Sequence, residues 1–428
     1  MTAAPELRDI DIERIGARGD GIARLDDRPV FVPYAAPGDR LRVRLGRARG
    51  EGVEAEIIER LADGPERARP LCRHFGDCGG CQLQHVADDA YRRWKRALIV
   101  EALGHHAVAA EVEPLLALAP ATRRRAKFVA EMRDGRVVLG FNARRSRRAV
   151  DAEGCLVLAP ALARILPPLR ALLPALLVEG RRLELQVLAA ATGLDLLAIG
   201  GGALGAARRE VLRRFAADTD VARIAWRGVE GAETEIVAES RAVVADFDGV
   251  VVELPPGAFL QASLEGEAAM RAFVVEACGR AKRIADLFAG CGSFAAPLAR
   301  RARVHAVEAD PVAAAALEAA ARASGALRLS VERRDLERRP LLPGELEAFD
   351  AVIFDPPRGG AGAQAKQLAR VRVPTVVALS CNPATFARDA RLLLDGGYRL
   401  ERVRPIDQFV WSAHVELAAV FRAPRKGV

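Results

Sequence analysis

From about residue 253 onward the chain alternates short apolar runs with helix-forming stretches, and these apolar runs end on polar residues. Ile284-Ala285-Asp286-Leu287 opens into Phe288-Ala289-Gly290-Cys291-Gly292-Ser293-Phe294, and Val304-His305-Ala306-Val307 ends in Glu308 with Asp310 close by. Ala351-Val352-Ile353-Phe354 runs into Asp355-Pro356-Pro357-Arg358. The run holding Val376, Val377 and Leu379 ends in Ser380-Cys381-Asn382-Pro383. Few folds accommodate that grammar. It predicts a parallel, Rossmann-like α/β sheet whose ligands bind at the C-terminal ends of the strands.

The glycine turn Gly290-Cys291-Gly292-Ser293-Phe294-Ala295 satisfies G-x-G-x-x-A, a pattern shared by nicotinamide and S-adenosylmethionine sites. Asp286 stands before the turn and can receive a cationic, amino-acid end, which favours S-adenosyl-L-methionine. Glu308 would take ribose hydroxyls, and Asp335, after a strand-like run, the adenine amino group. Cys381 sits where a strand gives way to a helix over residues 386–394, whose positive N-terminal end favours thiolate. Read alone, that thiol is as well explained as a small buried apolar group. Methylation of a pyrimidine at carbon 5 needs a thiolate to add at carbon 6, a base to take the carbon 5 proton, and a methyl donor. Glu416, in Val415-Glu416-Leu417-Ala418, is an acid in an apolar strand, where a charge without a task is costly. An arginine partner would be the structural alternative.

Residues 1–65 read as five short strands, a small OB-like barrel of the kind that binds nucleic acid. Leu41, Val43 and Leu45 there alternate with Arg40, Arg42 and Arg44. Residues 63–70 form a linker, 66–252 a central α+β domain, and 253–428 the Rossmann-like domain. Cys72, Cys78 and Cys81 form a C-x5-C-G-G-C loop, with Cys155 the candidate fourth ligand. Four cysteines fit zinc or an iron–sulfur cluster, and spacing leaves both open. Two basic runs, Arg123-Arg124-Arg125-Ala126-Lys127 and Arg144-Arg145-Ser146-Arg147-Arg148, could line a phosphate track. A formal net charge of +8 agrees with a polyanionic partner. The polar opening at residues 1–11 carries no signal-peptide pattern, and the apolar stretch at 156–178 is broken by arginines and prolines. A soluble, cytoplasmic protein without an obligate protein partner is expected.

Together these motifs resemble the class I RNA uracil-5 methyltransferases acting on tRNA or 23S rRNA, in particular their iron–sulfur-containing ribosomal branch with an N-terminal TRAM domain. The resemblance runs nearly end to end. It implies a [4Fe–4S] cluster on Cys72, Cys78, Cys81 and Cys155. S-adenosyl-L-methionine would be lined by Gln261, Phe288, Ser293, Glu308, Asp335 and Asp355. Cys381 would be the nucleophile and Glu416 the base, acting on an extruded uridine. The expected RNA is 23S rRNA, with tRNA as the alternative. Ser293, and Ala262-Ser263 after Gln261, depart from the asparagines usual in the family. A cytosine-5 enzyme would place a cysteine directly after the motif proline, where Pro357 stands. A non-catalytic RNA-binding assembly factor is disfavoured because every catalytic position is filled.

Overall fold

The computed structural model describes residues 6–325 and 327–423. Residues 1–5 and 424–428, the outer ends of the first and last expected domains, lie outside the described residues, so the polar opening is described only from residue 6. No described helix is long and apolar enough to cross a membrane.

The C-terminal half is built on an eight-stranded sheet. Its order is Leu329–Arg333, Arg303–Glu308, Arg283–Leu287, Ala351–Phe354, Thr375–Ser380, Glu416–Arg422, Arg399–Asp407 and Leu116–Ala117. The first five strands run parallel, and Glu416–Arg422 runs antiparallel to both its neighbours. Strand order therefore reverses between Arg283–Leu287 and Ala351–Phe354, opening the crevice where such sheets bind ligands. All residues of Ala351–Phe354 and Thr375–Ser380 are buried, as strands covered on both faces require. Pro311 opens the helix Pro311–Ser324 behind an Asp310 cap, and Gly325 closes it in the left-handed region.

Residues far upstream complete this half. The helix Asp88–His105 buries Tyr91, Trp94, Leu98 and Ile99 in the same core as Phe386, Leu393, Val403 and Phe421. The two-residue strand Leu116–Ala117 pairs in parallel with Ile406 and Asp407.

Between them lies a seven-stranded sheet over residues 125–239, covered by the helices Pro160–Leu172 and Ala206–Asp218. The N-terminal segment forms six strands in one sheet over residues 7–62. There the alternation behaves as its pattern implies. Leu41 and Val43 are wholly buried, while Arg42 and Arg44 reach outward to Asp9 at 2.9 Å and Glu56 at 3.4 Å.

Candidate active site and cysteine site

Cys381 follows the last residue of the buried strand Thr375–Ser380, and Asn382 caps the helix Pro383–Asp395. The Asn382 side chain accepts from the Ala384 N–H, a cap worth about 1 kcal/mol. Its Nδ2 donates to the Arg358 carbonyl at 3.1 Å. The Arg358 turn is held again by Arg388 on the Gly359 carbonyl and by the Ala361 N–H on Asp389. In this way the Asp355-Pro356-Pro357-Arg358 turn and the cysteine turn are fixed to one another.

The antiparallel register pairs Ser380 with Leu417, so Cys381 comes level with Glu416 one step further on. Glu416 is buried in the ladder opposite Ile406. Gln408 Nε2 donates to Glu416 Oε2 at 2.8 Å and to Gln261 Oε1 at 2.9 Å, and Gln261 Nε2 donates to Asp355 Oδ2 at 2.9 Å. Two expected methyl-donor residues and the expected base thus belong to one hydrogen-bonded chain. Its link, Gln408, escaped the sequence reading, although it stands just past a strand end, where polar residues were the signal.

Electrostatics differ from the expectation at the thiol. Burial, then Glu416, push the Cys381 thiol above its ordinary range, and Arg358 alone among the neighbouring side chains pulls it down. Glu416 and Asp355 are raised too, both first by burial; Asp355 then adds to the shift at Glu416. The Arg358 guanidinium lies 3.0 Å from the His414 ring, which burial and then Arg358 keep neutral, down to about 4.

The expected donor residues divide. Phe288 takes φ +61° on leaving its strand, a backbone cost of about 1–3 kcal/mol that such sites tolerate, and it borders a cavity of about 280 Å³ with Leu336 and Gly359. Glu308 accepts from the Gly290 and Asp310 N–H groups, Asp335 from those of Glu337 and Arg338, and Ser293 donates to Glu267 at 3.3 Å. Asp286 is wholly buried and no side chain hydrogen-bonds its carboxylate oxygens; burial, then Asp355, push it up to about 8, against a weak pull from the Ala295 N–H. A buried acid of this kind fits a cationic ligand end, and so supports the fit of S-adenosyl-L-methionine to this crevice.

Cys72, Cys78, Cys81 and Cys155 all line one cavity of about 100 Å³, together with Arg123. Among the described residues no three His, Cys, Asp or Glu side chains are gathered into single-ion geometry. The four thiols share the cavity, and its lining is compatible with either zinc or a cluster. Burial, first among the causes, pushes Cys81 up to about 12 and also raises Cys78 and Cys155.

The cysteine loop reaches the active site directly. The Gln82 and Leu83 N–H groups both donate to the Trp411 carbonyl, and Gln82 Oε1 accepts from the Ala413 N–H. Below them, wholly buried Lys95 Nζ donates to Asp407 Oδ1 at 2.9 Å and to the carbonyls of Phe409 and His414. Tyr91 donates to Asp407 Oδ2 at 2.5 Å. These bonds anchor the segment between Gln408 and Glu416.

The basic runs make chiefly protein contacts. Arg123 lines the cysteine cavity, Arg124 pairs with buried Glu267 at 2.9 Å, and Arg125 stacks 4.1 Å over the ring of exposed Phe259. Arg144 and Arg49 share buried Asp20, Arg145 pairs with Glu54 and Arg148 with Asp77. Asp20 is buried in its pairs, whereas the exposed Arg148–Asp77 pair is worth at most about 1 kcal/mol.

Comparison with known proteins agrees with this layout. The family described as tRNA (Uracil-5-)-methyltransferase matches residues 233–423, and the TRAM domain matches residues 6–58. An uncharacterized RNA methyltransferase of Brucella suis biovar 1 is 46% identical, covering 97% of this chain and 98% of its own. The 23S rRNA (uracil(1939)-C(5))-methyltransferase RlmD of Chromohalobacter salexigens is 37% identical over 95% of this chain and 87% of its own. The solved tRNA (uracil-54, C5)-methyltransferase of Pyrococcus abyssi, in complex with S-adenosyl-L-homocysteine, superposes with a TM-score of 0.74 at 22% identity, covering 97% of this chain and 100% of that one.

Proposed function

Because the chain belongs to the RNA uracil-5 methyltransferase family, we propose that it methylates uridine carbon 5 through a Cys381–carbon 6 adduct, with Glu416 as the base. The expected RNA is 23S rRNA. One observation carries the mechanism: Cys381 follows Ser380 and Glu416 precedes Leu417, the last pair of one antiparallel ladder, so the acid acts on the thiol beside the crevice that holds Asp286 and Asp355.

S-adenosyl-L-methionine, when bound, supplies an electrophilic methyl group. Asp286 would meet its cationic end, and Gln261, Phe288, Ser293, Glu308, Asp335 and Asp355 would line the rest. Arg358 favours loss of the Cys381 proton, which burial and Glu416 oppose. The thiolate then forms an S–C6 bond, and the electron pair displaced from the C5–C6 double bond makes carbon 5 nucleophilic. Carbon 5 takes the methyl group. Glu416 removes the remaining carbon 5 proton, the C5–C6 double bond re-forms, and the S–C6 bond breaks to release the thiolate. Cys72, Cys78, Cys81 and Cys155 would hold a [4Fe–4S] cluster, which when bound cross-links the 72–81 loop to the turn at 155. The shared cavity supports that reading.

RNA containing 5-fluorouridine has no removable proton at carbon 5, so the wild-type enzyme should trap as a covalent, denaturation-resistant adduct. Cys381→Ala should form none, and an adduct persisting in that variant would overturn the assignment. Mass spectrometry of rRNA and tRNA from a strain lacking the enzyme identifies the RNA by its missing methyl.

A further inference from the structure

Gln408 carries an orientation that one backbone group dictates. Its Oε1 accepts from the Ala262 N–H at 3.0 Å, and a peptide N–H can only donate. Its Nε2 must therefore face the other way, where both hydrogens are used, one on Gln261 Oε1 and one on Glu416 Oε2. Gln261, whose oxygen is thereby an acceptor, must point its own Nε2 at Asp355. A single N–H sets the polarity of the whole chain.

The consequence falls on the acid. An oxygen that accepts from an amide N–H is poorly placed to carry a proton, so any proton on Glu416 belongs on Oε1. No protein group among the described residues hydrogen-bonds Oε1. Space for this arrangement comes from the helix Leu264–Cys278. A Cβ on Gly266 would stand 2.7 Å from the Ser263 Oγ that caps this helix, 3.1 Å from Gln408 Cβ and 3.3 Å from its Oε1.

We propose that Gln408 is a positioning residue for the base: it keeps Glu416 Oε2 proton-free, presents Oε1 to the uracil, and joins the base to the methyl-donor residues Gln261 and Asp355. This rests on Glu416 being the base. The charged or titratable groups that face Glu416 are Asp355 and Arg358 from the turn after Ala351–Phe354, and Cys381 from the neighbouring strand. None of them can replace the amide as a neutral donor fixed in one direction.

Gln408→Met keeps the volume and removes the donor; Gly266→Ala keeps the amide but presses on the Ser263 cap as well as on Gln408. Full-length variants are compared with wild type and Glu416→Gln on RNA substrate. The readouts are methyl transfer in the first turnover and decay of the methylated covalent adduct, each across pH 6–9. Losing the N–H disfavours the ionised base, so adduct decay should slow at least about tenfold at pH 7 and its pH profile should move alkaline. First-turnover methyl transfer should change much less, and Gly266→Ala should shift decay in the same direction. Wild-type decay and pH profile in Gln408→Met, while Glu416→Gln accumulates adduct, would overturn the role of Gln408 alone. If Glu416→Gln accumulates none, the assignment of the base fails and this inference with it.

Discussion

Arg124 Nε donates to the backbone carbonyl of Gln261 at 3.0 Å, across 137 positions of sequence. The same guanidinium pairs with buried Glu267, and the Arg124 N–H donates to the Ala262 carbonyl. A segment of the central domain therefore fixes the backbone that carries a methyl-donor residue.

Removing that cation leaves buried Glu267 with Arg271 at 3.6 Å and Ser293 at 3.3 Å. Arg124→Gln should cost roughly 1–3 kcal/mol of stability, because Glu267 loses its nearest charged partner. It should also weaken binding of S-adenosylhomocysteine several-fold. Urea unfolding and calorimetric titration measure the two effects, and unchanged values for both would contradict this account.

Asp286 predicts a pH dependence. Its folded value is raised from 3.8 to about 8, so the folded chain holds the proton more tightly than the unfolded one. The stability it contributes is full below the unfolded value and is lost as pH rises through about 8. Asp286→Asn should flatten the decline in melting temperature between pH 5 and 8 in the ligand-free protein. The gain at pH 8 should reach a few kcal/mol at most. The same variant should lose affinity for the methyl donor. An equal drop in melting temperature at both pH values would argue that Asp286 is only a packing residue.

Asp20 makes the opposite prediction. Burial raises it, yet its hydrogen bonds to Arg49 and Arg144 hold it below the ordinary carboxylate range. Its contribution is present above the unfolded value and lost as pH falls through the folded one. Asp20→Asn should therefore loosen the 144–148 turn against the N-terminal sheet at neutral pH, leaving the Arg145–Glu54 pair, and limited proteolysis should cut between them faster. Arg147→Ala touches no carboxylate pair among the described residues. If its side chain meets a phosphate, the salt slope of RNA binding should fall by about 1 with stability unchanged.

The cysteine site is tested by its metal. Protein purified without oxygen should be brown and bind iron, and Cys81→Ser should lose most of both. Loss of the cluster should also loosen the Gln82 contacts to Trp411 and Ala413, seen as faster amide exchange across residues 409–414. A colourless protein with one zinc would overturn the cluster.

The sheet was legible from residue 284 onward because each strand ended on a residue type that only a ligand site justifies. The same logic reached Glu416, an acid among apolar neighbours. It did not reach the Arg123 and Arg144 runs, where local sequence shows charge and conceals the partner. Asp20 lies 124 positions from Arg144, and nothing local to either residue announces the pair. Lys95 lies in the helix Asp88–His105, and the acid that pairs with it in the core, Asp407, is 312 positions away. The acid facing Cys381 was hidden for a similar reason: the helix end was local and visible, whereas Glu416 comes from another strand.

The Tyr91–Asp407 bond spans 316 residues. A ribosome making this chain releases the helix Asp88–His105 long before its mates at Phe386, Val403 and Phe421 exist. Until then its apolar side and the Lys95 ammonium have no permanent home. The core of the catalytic half therefore closes only after residue 421 has been made, across a loop of more than three hundred residues. A truncated product ending before residue 400 would be a chaperone client, whatever its N-terminal sheet had already achieved.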